Sequence, residues 1–261
     1  EHARFFRRWN LDVVNHPKAI LHVNDGRQHL RMQPESSYDL VTLEPPPLVE
    51  AGVASLYSTE FYELVHSRLK PGGYISQWLP AYQVPEDVAR SIVKAFLEVF
   101  PDGLLLSGYR NEFILLGARS GPPQFHPEDV ARRLATRPEV EADLARIDLG
   151  SLVEMAGTIA GSNAALVAAT KDVLPVTDDL PVMEYSSLSF TRSILPADLF
   201  DAPLAASSWC PTCYDSNGRP KPAMAGLDIY LELLQGVYIH PEFRANLRPR
   251  GQYHLPDRVA G

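Results

Sequence analysis

Three polar side chains stand where a short apolar run ends, and their types suit chemistry on a small ligand. Glu44 closes the run Asp39–Glu44 (DLVTLE) and is followed by Pro45, Pro46 and Pro47. A residue before proline is pushed towards the β or polyproline region, so Glu44 should continue the strand direction outward. The prolines remove backbone donors and stiffen the loop beyond it. A carboxylate held there can bind a protonated amine and later take its proton. It can equally be a solvated strand-end glutamate before a rigid turn. Asp25 and Gly26 follow the run Ala19–Asn24 (AILHVN). An aspartate at a strand's carboxyl end can accept from the exocyclic amine of an adenine, and glycine beside it lets the backbone come close. The plainer reading of the pair is a turn. Gln77, near the end of Tyr74–Leu79, can orient an amine or a ribose hydroxyl, or be a strand residue bonded within the sheet. Trp78 and Tyr82 offer an aromatic wall for a cationic chain, or else core packing.

Other constellations carry less. Cys210-Pro211-Thr212-Cys213 lies in a loop-rich stretch. A redox pair belongs at a helix N-terminus after a strand, and a zinc site needs two more ligands. His240 and His254 lack a finger spacing, so two plain thiols and no metal are expected. There is no G-x-S-x-G elbow, no Walker loop and no H-E-x-x-H.

The elements that must position these residues emerge from periodicity. Glu1–Asn10 reads as the tail of a helix. Ala19–Asn24, Asp39–Glu44 and Tyr74–Leu79 read as strands. Ser58–Leu69 reads as an amphipathic helix, with Ser58 its N-cap and Lys70-Pro71-Gly72-Gly73 its stop. Glu86–Phe100 is a second helix, and Leu104–Ser107 with Phe113–Ala118 a hairpin. Strands alternating with helices predict a mostly parallel sheet covered on both faces, with the hairpin completing one edge. Such sheets bind ligands outside the carboxyl ends of their strands. After Gly121-Pro122-Pro123, Pro127–Thr136, Glu139–Ile147, Ser162–Lys171 and Leu227–Val237 read as helices and Thr177–Tyr185 as extended. The expected division is residues 1–120 and a helical, loop-rich extension over 121–261.

The chain has 261 residues, 45% hydrophobic and 21% charged, which excludes global disorder. Its net charge, 24 − 32 = −8, argues against nucleic-acid or anionic-membrane surfaces and suits a cationic or neutral small ligand. Two cysteines cannot build a disulfide framework. No signal peptide or spanning apolar run is present, and a cytoplasmic location is expected. The first residue, Glu1, reads as a start inside a longer chain.

Taken in order, VNDGRQHL, YDLVTLEPPP, LYSTEFYELVHSRLKPGGYISQWLP and TDDLPVMEY resemble the spermidine and spermine synthases, the polyamine aminopropyltransferases. They look closest to the bacterial branch often fused to membrane segments. The resemblance covers roughly residues 1–120 plus the late segment. It implies a Rossmann-like fold of the class I methyltransferase type, here without its first βαβ unit. It also implies aminopropyl transfer from decarboxylated S-adenosylmethionine to a diamine such as putrescine, without a metal. By the same resemblance Glu44 falls on the catalytic aspartate, Asp25 on the adenine-binding aspartate and Gln77 near the strand-end glutamine. Tyr82 would join the substrate site. The family often forms dimers, and membrane segments upstream are a further expectation. One departure matters: the second acid of the family's tract is replaced by Pro45-Pro46-Pro47. Two other readings stay open, a methyltransferase using S-adenosylmethionine and a non-catalytic interaction domain.

Overall fold

The computed structural model describes residues 5–10, 12–46, 50–79, 84–108, 112–185 and 195–240. It divides into two compact units, Glu1–Gln33 and Pro34–Gly261. Neither unit ends near residue 120.

Among its described residues the first unit holds two short α-helices, α1 (Arg7–Asn10) and α2 (Gly26–Met32). Asp25 caps α2, its carboxylate accepting from the Gln28 N–H at 2.7 Å. The strand expected over Ala19–Asn24 is not formed. A strand needs a hydrogen-bonded neighbour, and this unit has none among the described residues. Ile20, Leu21 and Val23 are accordingly 62% exposed or more.

The second unit is built on one sheet. Its strands are β1 (Tyr38–Leu43), β2 (Leu69–Leu79), β3 (Leu104–Ser107), β4 (Phe113–Ala118) and β5 (Ile159–Gly161). They lie in the order β1-β2-β4-β3-β5. The α/β reading holds, and the hairpin has its expected bounds. The parallel share is smaller than the sequence suggested. Among the described residues β1 and β2 pair in parallel, whereas β2–β4, β3–β4 and β3–β5 are antiparallel. The hairpin accounts for most of this, since it presents β4 to β2 and β3 to β5. β5 comes from the second half of the chain, which therefore shares a sheet with the first.

The helix α3 (Thr59–Arg68) starts where expected, with the Ser58 hydroxyl accepting from the Phe61 N–H at 3.2 Å. It stops at Leu69, whose backbone is already extended (φ −69°, ψ 141°) and whose N–H donates to the Val65 carbonyl; Gly72, further on, takes φ 76°, a conformation that glycine adopts at little cost. The four-residue stop signal then becomes the start of β2, with a slip in register between Tyr38 and Leu40. The helix α4 (Glu86–Val99) buries Val88, Ile92, Ala95 and Phe96. Phe100, just beyond it, closes over Gly117 of β4, where an added Cβ would lie 2.7 Å from the ring. Tyr62 of α3 meets Phe96 edge to face at 5.2 Å. This is the aromatic core on one side of the sheet.

The remaining sequence carries α5 (Pro127–Leu134), α6 (Pro138–Ala145), α7 (Leu152–Ala156), α8 (Asn163–Ala169), α9 (Val182–Tyr185), α10 (Ala202–Trp209) and α11 (Leu227–Ile239). Ala156, Ala205, Trp209 and Leu231 form a second core with Leu104, and Leu106 and Leu116 pack on it. α10 has no counterpart among the expected helices, because its alanine-rich face has little periodicity. Thr177–Tyr185 is not extended throughout: Thr177 and Leu180 exchange backbone bonds in a turn, and α9 comes next. Cys210 and Cys213 are not two thiols but a disulfide, fully buried in the second core.

Two outcomes test this packing. A Cβ on Gly161 would lie 2.1 Å from the Leu199 carbonyl oxygen, so Gly161→Ala should destabilise the protein. Overpacking of this kind costs about 1–3 kcal/mol, which a urea titration measures. Tyr62 is buried with its hydroxyl unpartnered, and burial, then the neighbouring Tyr57, raises its pKa well above the ordinary value. The folded state keeps Tyr62 neutral while the unfolded chain ionises near pH 10, so its contribution is intact below about pH 10 and is lost above it. Tyr62→Phe should leave stability at neutral pH unchanged and flatten its alkaline decline. A wild-type slope above pH 10 in the variant would contradict this.

Candidate active site

The site begins with the pairing of β1 and β2. Both strands run the same way, and Leu43 lies opposite Gln77. Their carboxyl ends therefore fall on one edge, and Glu44 leaves β1 beside the end of β2. Pro45 is buried and anchors the exit, while Glu44 itself is exposed. On the other flank of β2 the antiparallel register sets Leu79 opposite Phe113. Glu112, the residue before β4, is thereby brought to the same edge.

Residue parity then sorts the side chains by face, since successive strand residues point to opposite sides. Thr42, Ser76, Trp78 and Ile114 share one face. With Glu44 and Glu112 they line an open cavity of about 540 Å³. That is within the range of small-molecule sites. The Trp78 indole N–H donates to the Glu112 carboxylate and holds it at the rim. Among the described residues, no lysine or arginine forms an ion pair with Glu44 or Glu112.

Gln77 faces the other way and is fully buried. Its amide donates to the Trp78 carbonyl at 3.2 Å. Tyr57, also fully buried, sets its hydroxyl beside the Gln77 side chain. Burial pushes the Tyr57 phenol far above its ordinary pKa; a hydrogen bond with the Gln77 side chain draws it part-way back, and the negative charge of Glu44 adds to the rise. Tyr57 is thus a neutral hydroxyl within electrostatic reach of both residues. The pair is packed beneath the sheet, on the face away from the cavity, and partners itself.

Below this edge the late TDD segment meets the start of α3. The Ser58 hydroxyl donates to Asp178 at 2.7 Å, and the Asp178 N–H donates to Glu60 at 3.0 Å. The Thr59 N–H donates to the Val176 carbonyl at 2.9 Å. A carboxylate at a helix N-terminus is favoured by the exposed N–H groups there. Asp178 therefore fixes the start of α3, immediately after Tyr57.

Of the residues expected from sequence, Glu44 and Gln77 are brought together. Asp25 and Gly26 belong to the first compact unit, where Asp25 caps its own helix and a Cβ on Gly26 would meet nothing within 4 Å. Tyr82 lies outside the described residues. Trp78 does line the cavity, through its bond to Glu112 rather than as a free wall. Tyr57 and Glu112 are additions that sequence reasoning misses. Tyr57 stands just before a helix cap and Glu112 just before a strand, and only the long-range pairing shows where they point. Among the described residues, no group of three or more histidines, cysteines or carboxylates is placed to hold a metal. No helix among them is long and apolar enough to cross a membrane.

Comparison with known proteins bears on these observations. No family model matches the chain. It is 28% identical over 135 residues to polyamine aminopropyltransferase 2 of Pseudomonas aeruginosa, covering 49% of this chain and 38% of that one. It is 27% identical over 121 residues to the spermidine synthase of Coffea arabica, covering 41% and 36%. It is 31% identical over 68 residues to the polyamine aminopropyltransferase of Aeropyrum pernix, covering 26% and 22%. The chain thus spans less than two-fifths of the curated relatives it matches. Among solved structures, a probable spermidine synthase from Corynebacterium glutamicum aligns at TM-score 0.43 and 18% identity, over 67% of this chain and 60% of that one. The Thermotoga maritima spermidine synthase aligns at TM-score 0.40 and 18% identity, over 49% and 45%. By sequence, the chain is similar over 26–49% of its length to proteins named polyamine aminopropyltransferase or spermidine synthase.

Proposed function

We propose that the chain carries the amine-acceptor site of an aminopropyltransferase, which moves an aminopropyl group from decarboxylated S-adenosylmethionine to a diamine such as putrescine. The observation that carries this reading is the β1–β2 register, which sets the exposed Glu44 at the carboxyl edge of the sheet, where it lines a cavity with Thr42, Ser76 and Trp78. A diamine is protonated at neutral pH, with a lysine-like pKa of about 10, so one nitrogen must lose a proton before it can attack. Glu44 accepts that proton. The freed nitrogen forms a bond to the carbon beside the sulfonium, the carbon–sulfur bond breaks with its electron pair, and methylthioadenosine leaves. The proton passes from Glu44 to solvent. Gln77 is proposed to take part in the substrate site from beneath the sheet edge. Asp25 and Gly26 are proposed to contact the adenine of the donor, and Tyr82 to contact the amine chain.

The test is transfer itself, with products read by mass spectrometry. The chain incubated with decarboxylated S-adenosylmethionine and putrescine should yield methylthioadenosine and an aminopropylated diamine. A positioned general base contributes on the order of 10²–10⁴-fold, so Glu44→Gln should lower turnover by that range while circular dichroism stays unchanged. Wild-type turnover in the variant would remove Glu44 from the mechanism. Adenosylhomocysteine formed from S-adenosylmethionine, or no product in either tube, would overturn the reading.

A further inference from the structure

We propose that the disulfide between Cys210 and Cys213 is a redox-controlled lock on the second core: oxidised, it holds the end of α10 closed, and its reduction by a dithiol loosens that core. The inference goes beyond the amine-acceptor reading and uses none of its residues.

The bond joins two pieces of chain that leave the core in different directions. Both cysteines are fully buried. The Cys210 N–H donates to the Ala206 carbonyl at 2.8 Å, so the first sulfur is carried by the last turn of α10. The Cys213 carbonyl accepts from the Lys221 N–H at 2.9 Å, so the second is carried by the loop that closes through Tyr214 and Pro220. Trp209, beside the first cysteine, gathers two further segments. Its indole N–H donates to the Ala156 carbonyl of α7 at 3.0 Å. Its own carbonyl accepts from the Phe125 N–H at 2.7 Å, and the two rings stack at 5.9 Å. Ile159 of β5 packs in the same core. Residues 209–213 are therefore where α7, α10, the approach to α5 and the 214–221 loop converge.

A bridge between residues three apart closes a very short loop, so it constrains the unfolded chain less than a long-range bridge would. What it fixes is local. Reduced, the two sulfurs must separate from a covalent bond to van der Waals contact, inside an interior packed as densely as a molecular crystal. Extra volume in such an interior displaces its neighbours. The chain has no third cysteine, so no other disulfide can replace this one. Thiol pools of reducing compartments work against such a bond, and oxidising ones preserve it.

The exchange balances with the dithiol alone. One thiolate of the dithiol attacks a cysteine sulfur, the S–S bond breaks, and the released cysteine thiolate takes a proton. The second thiol then closes the reductant's own disulfide ring and frees the other cysteine as a thiol. The dithiol loses two hydrogens and the protein gains them. Since neither sulfur is exposed, attack requires the second core to open first.

The experiment compares the full chain before and after dithiothreitol, with thiols counted by alkylation and amide hydrogen exchange read by mass spectrometry. Purified in air without reductant, the chain should take up no alkyl group even when denatured, and two after reduction. Amides of 202–213 and 156–161 should exchange at least about tenfold faster in the reduced chain, and those of α3 and α4 should stay within about twofold. Urea below the unfolding transition should speed reduction at fixed dithiothreitol, because opening precedes attack. The Cys210→Ala/Cys213→Ala variant should exchange identically with and without dithiothreitol. Unchanged exchange in reduced wild type overturns the inference, as do two alkylatable thiols in the air-purified chain. A response to dithiothreitol that persists in the double variant also overturns it. Each of these results leaves the acceptor reading standing.

Discussion

The parallel register of β1 on β2 is the constraint on which the site depends. It holds Leu43 opposite Gln77, and everything polar at the edge takes its place from that pair. A slip of one residue would exchange the faces of β1, since the side-chain period is two. Thr42 would then leave the cavity face, and Glu44 would no longer follow the strand out beside Trp78. The bulge between Tyr38 and Leu40 absorbs the mismatch at the amino end, so the carboxyl end stays in register. Gly73 permits it, because its Cα approaches the Tyr38 and Lys70 carbonyls closely enough that a Cβ would lie 3.0 Å from each.

Two sequence segments far apart in the chain prove to be one contact. The segment containing Ser58 and Glu60 and the segment containing Val176 and Asp178 are joined by hydrogen bonds in both directions. Glu184, a little further on, accepts from the Gly52 N–H at 3.0 Å and ties down the turn before Tyr57. The late acidic segment therefore need not touch a ligand to matter to the site. It holds the start of α3, immediately after Tyr57. Asp178 acts here through Ser58, as a positioning group.

Much of this is legible in the amino-acid sequence itself, for identifiable reasons. Glu44 can be placed because proline restricts the residue before it, a local rule that needs no partner. The hairpin is legible because apolar runs on both sides of a polar stretch specify it without reference to the rest. Ser58 announces its helix through capping chemistry. The features that escape a sequence reading are non-local. Ala19–Asn24 has a strand's composition, but a strand is a pairing, and composition cannot show whether a neighbour is present. Val182–Tyr185 reads as extended in isolation and turns helical where the chain packs against α4. Tyr57 and Glu112 carry no local signal of function; each becomes interesting only when the sheet order brings it to Glu44.

The acids at this edge also say something about what the fold does not optimise. A chain under pressure for stability alone would pair Glu44 with a cation. Exposed ion pairs of that kind are worth little, about 0–1 kcal/mol, so forgoing one is thermodynamically cheap. What the register does supply is an exposed carboxylate at the carboxyl edge of the sheet, lining a cavity with Thr42, Ser76 and Trp78. Open α/β sheets take their ligands at that edge, and this is the ground on which the transfer chemistry is proposed for the β1–β2 edge rather than for the buried disulfide.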